Sequence, residues 1–373
     1  MPRVLFLVVT LNHAAEYSIA EYNGECNFDW PSKPRPHSVS VSEFGAVGDG
    51  KTLNTLAFQN AMFYLQSFAD KGGAQLYFLA GRWLIGTINL ISHLTLFLEK
   101  NVIILGSQDV VDPLPSYGRG IELPGNNGTI DGQGSVWWEQ FNAHSLNYSR
   151  PHPVEFIGSK DVVISNLTFL NAPARNICPA YCCNILVQNI KVYSPPNSSY
   201  TSEIVPDSSE HVCIENSNIS TGYDAIALKS GWDEYGIAYN KPTANVYIQR
   251  VQVKSSSGSG IAFDSEMSGG IFNILVNHVK VRDSPTGVNV KTGQGRGGTV
   301  KDIVGLNITI ARNFSGISES PFTSICLSNV SFFTPFDLST SWVCSNVSDP
   351  PELQNPLSST CFLLYQNGQF AVS

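Results

Sequence analysis

The chain has 373 residues, 42% of them hydrophobic and only 14% charged, so it can bury a large core. No apolar run reaches the roughly 18 residues of a membrane-spanning helix. A net charge of −8 argues against nucleic acid as a partner.

Taken from its start, the chain reads first as a short secretion signal over residues 1–15. Arg3 supplies the positive end, Val4 to Leu11 the apolar core, and His13-Ala14-Ala15 a small-residue cleavage site. An ordinary β-strand would look much the same, so two further features bear on the reading. Nine N-x-S/T sequons stand at Asn127, Asn147, Asn166, Asn197, Asn218, Asn307, Asn313, Asn329 and Asn346. Such sites accept glycans in secreted proteins, although strands rich in Asn and Thr also generate them by chance. The eight cysteines are Cys26, Cys178, Cys182, Cys183, Cys213, Cys326, Cys344 and Cys361. Their irregular spacing lacks paired C-x-x-C sets, so no zinc site is expected. Cys344 and Cys361 could close a C-terminal loop in an oxidising compartment. The adjacent Cys182 and Cys183 cannot easily bond each other and read equally well as buried small apolar residues.

Thr55 to Phe68 has Leu56, Phe58, Ala61, Met62 and Leu65 spaced for one apolar helix face. From Val162 onward one pattern recurs. It begins at Val162, Ile185, Val212, Val246, Ile274, Ile303 and Ile325, and each copy alternates apolar with polar residues around a polar fifth position. Those fifth positions, 166, 189, 216, 250, 278, 307 and 329, are 22 to 34 residues apart and most often Asn. Alternation with period two means strands with one buried face. A polar corner between short strands suits Asn, which tolerates the left-handed conformation. The repeat is too short for a strand, a crossover helix and a second strand in every unit, but it fits one coil of a stacked solenoid. The expected fold is all-β, a parallel β-helix over residues 38–335, its open N-terminal end covered by the helix. Residues 336–373, rich in Pro, Ser and Cys, read as a C-terminal cap or tail.

Several segments resemble plant polygalacturonases of glycoside hydrolase family 28, within the pectinase superfamily. They are Phe44-Gly-Ala-Val-Gly-Asp-Gly-Lys51, Gly128-Thr-Ile-Asp-Gly-Gln-Gly134 with Trp137-Trp138, and Val205-Pro-Asp-Ser-Ser209. Asp224-Ala-Ile-Ala-Leu-Lys-Ser-Gly-Trp-Asp233 and Ser265-Glu-Met-Ser-Gly-Gly270 extend the likeness, which covers roughly residues 20 to 350. The resemblance implies a right-handed β-helix, secretion to the cell wall, a pectic polysaccharide as substrate, and hydrolysis with inversion needing neither metal nor cofactor; an elongated monomer is the default.

Inversion requires a protonated carboxyl at the leaving oxygen and carboxylates opposite, about 6.5–9.5 Å away, that activate water. The family supplies these groups from Asn-Thr-Asp, Asp-Asp, Gly-His-Gly and Arg-x-Lys motifs. Here those motifs align with Tyr200-Thr201-Ser202, Tyr223-Asp224, Gly258-Ser259-Gly260 and Asn289-Val290-Lys291. By resemblance Asp224 is the catalytic acid, and Lys291 is the residue that pairs with a substrate carboxylate. Asp207, Glu203, Asp264 and Glu266 are candidates for a replacement base, although each also reads as a hydrated turn carboxylate. Trp232 and Tyr235 could stack on a sugar, with core packing the expected role. Lys229, Lys254, Lys291 and Arg296 cluster in the motif region and could supply a local positive patch for a polyanion. The chain also looks short of a coil between Pro115 and Gly128, and again between Gly298 and Ile303. Two functions compete: a pectin hydrolase of impaired activity, and an inactive β-helix that binds pectin. Elimination chemistry ranks behind both.

Overall fold

Stacked period-two segments should pair every buried position with its counterpart one coil away, and they do. In a computed structural model, residues 34–108, 119–291, 296–306, 309–310, 315–316, 322–328 and 331–332 are described. The expected signal, the tail 336–373, and Cys344 and Cys361 lie outside them. Val162 pairs with Ile185, Ile185 with Val212, Val212 with Val246, Val246 with Ile274, Ile274 with Ile303 and Ile303 with Ile325, all in parallel. The fold is a right-handed parallel β-helix. Its core is a continuous column of Ile, Val, Leu and Phe along the axis. Apolar burial at about 25 cal/mol per Å² is what such stacking gains in every coil.

The corners carry the conformation expected of them. Asn166, Asn189, Asn216, Arg250 and His278 all have φ between 51° and 56°. A second column lies five residues earlier in each coil: Asp161, Asn184, His211, Asn245, Asn273 and Asp302, with φ between 54° and 59°. Sequence reading missed it, although Asn or Asp fills five of its six places. Each coil therefore bends twice beside its long strand, at residues that tolerate left-handed backbone at low cost.

The N-terminal helix forms as Thr55–Gln66 and buries Phe58, Ala61, Met62 and Leu65. Phe58 lies with its ring centroid 5.3 Å from that of Phe78 on the first coils. Leu56, expected on the same face, instead points to solvent at 69% exposure. It stands one residue into the helix, before the apolar face has turned toward the core. Where coils looked missing, the stack continues: Arg119–Asp131 pairs with the strands before and after it, and Val300–Leu306 pairs with Ile271–Asn277.

A second, seven-stranded sheet runs along the solenoid. From one end to the other it contains Val154–Ile157, Arg175–Ala180, Ser202–Ile204, Ile226–Leu228, Ser259–Phe263, Thr286–Val290 and Ser315–Gly316. Ile177, Ile204, Ile226, Ile261 and Val288 stack inward along it. Cys178, Val205, Ala227 and Ala262 form a separate small apolar row, also buried. Cys178, Cys182 and Cys183 carry free thiols. Cys182 is fully buried and packs as a small apolar residue, whereas Cys183 is half-buried, so the buried reading fits the first of the two alone.

Candidate functional site

On that second sheet the next row is charged, and its sign alternates. Asp207 bridges to Lys229 in the adjacent coil. Asp264 and Lys291 continue the row, Asp264 through its amide on Leu228 O at 2.9 Å and Lys291 through its amide on Phe263 O at 2.7 Å. Neighbouring coils are about 4.8 Å apart, so each charge meets its opposite on the next strand. Lys229 Nζ lies 3.0 Å from Asp264 and 2.7 Å from Glu266, and Arg175 reaches Glu266 at 3.7 Å.

Asp224 and Lys291, the two residues the resemblance singled out, meet here as one ion pair. Asp224 is wholly buried, and its other oxygen accepts the Ser259 amide at 2.9 Å. Gly258 is required beside it, because a Cβ there would lie 2.8 Å from Asp224 Oδ1 and 2.6 Å from the Tyr223 carbonyl carbon. Lys291 Nζ also lies 3.5 Å from the Tyr223 hydroxyl and 4.6 Å from its ring centroid. Burial alone would lower the Lys291 ammonium, but the charges of Asp224 and Asp264 outweigh it and hold it above the ordinary lysine value. Asp264 behaves in mirror image. Burial favours its neutral form, yet Lys229 and Lys291 keep its carboxyl below the usual range.

The substituted positions surround this pair with neutral groups. Asn289 Nδ2 donates to Ser259 Oγ at 3.2 Å. Tyr200 and Tyr223 lie tilted to one another with centroids 5.0 Å apart, and Phe141 extends the row edge-on at 5.6 Å from Tyr200. Arg150 lies over Phe141 at 4.2 Å, a cation at the far end of the aromatic row from Lys291. Of the replacement-base candidates, Glu203 is fully buried and accepts from Asn176 Nδ2 at 2.9 Å. Burial lifts its carboxyl above the ordinary value. Burial does the same to Asp207, whose Oδ1 accepts the Gly231 amide at 2.9 Å and the Ser208 hydroxyl at 3.1 Å.

Two expectations are overturned. The positive patch is neutralised cation by cation: besides Lys229 and Lys291, Lys254 pairs with Asp283 at 2.9 Å and Arg296 with Asp233 at 3.0 Å. Clustered lysines gain most by pairing with the acidic residues that a chain of this net charge places around them. Trp232 and Tyr235 do not pack in the core. They stand 56% and 89% exposed, carried outward by the short helix Asp233–Tyr239 and the turn before it. Alternation along strands could not signal this, because the insertion leaves the repeat.

A long β-helix with buried acids and lysines on one lateral sheet has counterparts among solved structures. The solved exopolygalacturonase of Thermotoga maritima matches 86% of this chain and 85% of its own with a TM-score of 0.68 at 22% identity. The polygalacturonase of Erwinia carotovora ssp. carotovora matches 86% of this chain and 99% of its own with a TM-score of 0.62 at 18% identity. The model of Glycosyl hydrolases family 28 matches residues 116–319. A probable polygalacturonase of Vitis vinifera is 40% identical over 382 residues, covering 84% of this chain and 78% of that protein. Polygalacturonase-2 of Solanum lycopersicum is 25% identical over 76% of this chain, which spans only 62% of that relative. The chain belongs to glycosyl hydrolase family 28.

Proposed function

We propose that this protein is a secreted glycosidase that hydrolyses pectic polysaccharide in the cell wall by inversion, slowly, with Asp224 as the acid and Asp264 as the base. The observation that carries the reading is the Lys291 ammonium, which pairs with Asp224 and lies in the field of Asp264. In the free protein Asp224 is ion-paired with Lys291. A galacturonate carboxylate that draws Lys291 away frees Asp224, which as the acid gives a proton to the glycosidic oxygen as the C1–O bond breaks. Asp264, held ionised by Lys229, takes a proton from the water that attacks C1 from the opposite face.

Ser202, Tyr223, Ser259 and Asn289 supply no further carboxylate, which is why turnover is expected to be low. Each acid–base group contributes about 10²–10⁴-fold. Purified protein should release reducing ends from polygalacturonate or rhamnogalacturonan, and Asp224→Asn and Asp264→Asn should each lower that release by about 10²-fold or more. Equal release by wild type and Asp224→Asn would remove Asp224 from the mechanism. The neutral side chains at those four positions favour a second reading, a pectin-binding protein without turnover. Binding to pectin with no release of reducing ends would support it.

A further inference from the structure

We propose that Tyr200 is a sugar-stacking residue, its ring carrying one galacturonate unit of the pectic chain beside the unit whose carboxylate reaches Lys291. The inference rests on the pectin-directed reading above and deepens it, because it names a side chain that holds the polymer rather than one that cleaves it.

The ring stands where a polymer can reach it. Tyr200 is 61% exposed and lies just ahead of the strand Ser202–Ile204 on the second sheet. Tyr223 separates it from Lys291: the two tyrosine centroids are 5.0 Å apart, and Lys291 Nζ is 4.6 Å from that of Tyr223. A chain lying along the stack of coils and anchored at Lys291 therefore meets Tyr200 with its adjoining unit. The face of the phenol is apolar and its hydroxyl polar, which matches a pyranose, whose C–H face lies on a ring while its hydroxyls stay wet.

The ring is also held in place. Tyr200 has φ 48°, a left-handed conformation uncommon for a bulky side chain that persists where the surroundings impose it. Arg150 donates to the Ser199 carbonyl at 2.6 Å and to the Tyr200 carbonyl at 3.3 Å. Ser199 Oγ donates to Asn142 Oδ1 at 2.7 Å, which ties the turn to the helix Ser135–Asn142. Phe141 of that helix meets the Tyr200 ring edge-on. These contacts fix the ring yet leave more than half of its surface open. A ring so fixed loses little freedom when a ligand covers it.

The charge around the ring suits a galacturonate. The Arg150 guanidinium bonds two backbone carbonyls and forms no ion pair among the described residues, so its charge is uncompensated. Burial lowers its ordinary value to about 10, which leaves it charged at neutral pH. The aromatic row thus has a cation at each end, and of the two Lys291 alone is paired with an acid.

The test is calorimetric binding of hexagalacturonate to the full chain and to its Tyr200→Asn and Tyr200→Phe variants. Asn adopts left-handed backbone at low cost, so Tyr200→Asn removes the ring without straining the turn. It should bind about threefold to tenfold more weakly with the same number of sites, the scale of one aromatic contact. Tyr200→Phe keeps the ring and should bind within about twofold of wild type. Raising salt from about 50 mM to about 300 mM should weaken binding to every form, because the cations act through screened charge. The ratio between wild type and Tyr200→Asn should stay constant, since stacking is not screened. Equal affinity of wild type and Tyr200→Asn, equal losses in both variants, a ratio that vanishes at high salt, or no binding by wild type would each overturn the proposal. Binding needs no turnover, so its outcome is separate from that of the reducing-end assay. A Tyr200-dependent affinity without released reducing ends would sink the hydrolase reading and leave this subsite standing.

Discussion

At the residue scale, the pairing of Asp224 with Lys291 changes what each can do in the free protein. In the proposed function one is an acid and the other a substrate clamp; as an ion pair they offset each other's charge until a third charge competes. Glu203 is the other notable residue, a buried carboxyl facing Asn176. Its folded-state value is raised, so the folded protein holds that proton more tightly than the unfolded chain does. The stability Glu203 contributes is complete below its ordinary value of 4.5 and is lost as pH rises through the folded value. Glu203→Gln cannot ionise and keeps the shape. It should therefore raise the melting temperature at pH 7 and leave it nearly unchanged at pH 4. An equal gain at both pH values would show that Glu203 holds its proton no more tightly in the folded protein than in the unfolded chain.

At the scale of elements, the β-helix depends on two left-handed corners per coil. A non-glycine residue in that conformation costs about 1–2 kcal/mol unless, like Asn, its side chain bonds the local backbone. Asn189→Ala should thus destabilise by about 1 kcal/mol in urea unfolding. His278, exposed at an equivalent corner with φ 52°, lacks that adaptation, and His278→Gly should stabilise by a comparable amount. A loss of stability in His278→Gly would show that the imidazole makes a contact worth more than the strain. The first corner column was legible because Asn recurs at the fifth place of a visible repeat. The second was not, since it falls at the strand entrance, where the pattern offers no phase to count from.

At the scale of the whole molecule, the five sequon asparagines within the described residues, Asn127, Asn147, Asn166, Asn197 and Asn218, are all exposed. Asn166 stands at a corner, where a glycan would project away from the stack. Protein made in a plant secretory system should carry glycans at several of these sites, seen as a mass loss on enzymatic deglycosylation. An unglycosylated product would count against passage through that route. The Asp233–Tyr239 insertion also belongs to this scale, because the cleft beside it joins Tyr181, Asp207, Tyr239 and Glu266 from four separate coils.

The amino-acid sequence by itself determined the solenoid, its register and the first of its two corner columns, because a period-two pattern repeated every coil has one stacking that buries every apolar side chain. Through the family resemblance it also marked Asp224 and Lys291 as candidates and set the neutral Ser202, Tyr223, Ser259 and Asn289 at the aligned positions. Only the tertiary structure decided how the charges pair. Lys229, Lys254, Lys291 and Arg296 each find their acid on another coil or a neighbouring turn, 29 to 67 residues away for all four. Coulomb attraction acts on distance in space, which the stacking of coils sets and the linear chain does not display. The same holds for Trp232 and Tyr235, whose rings face solvent because an insertion lifts them off the repeat whose alternation would otherwise have assigned them a side.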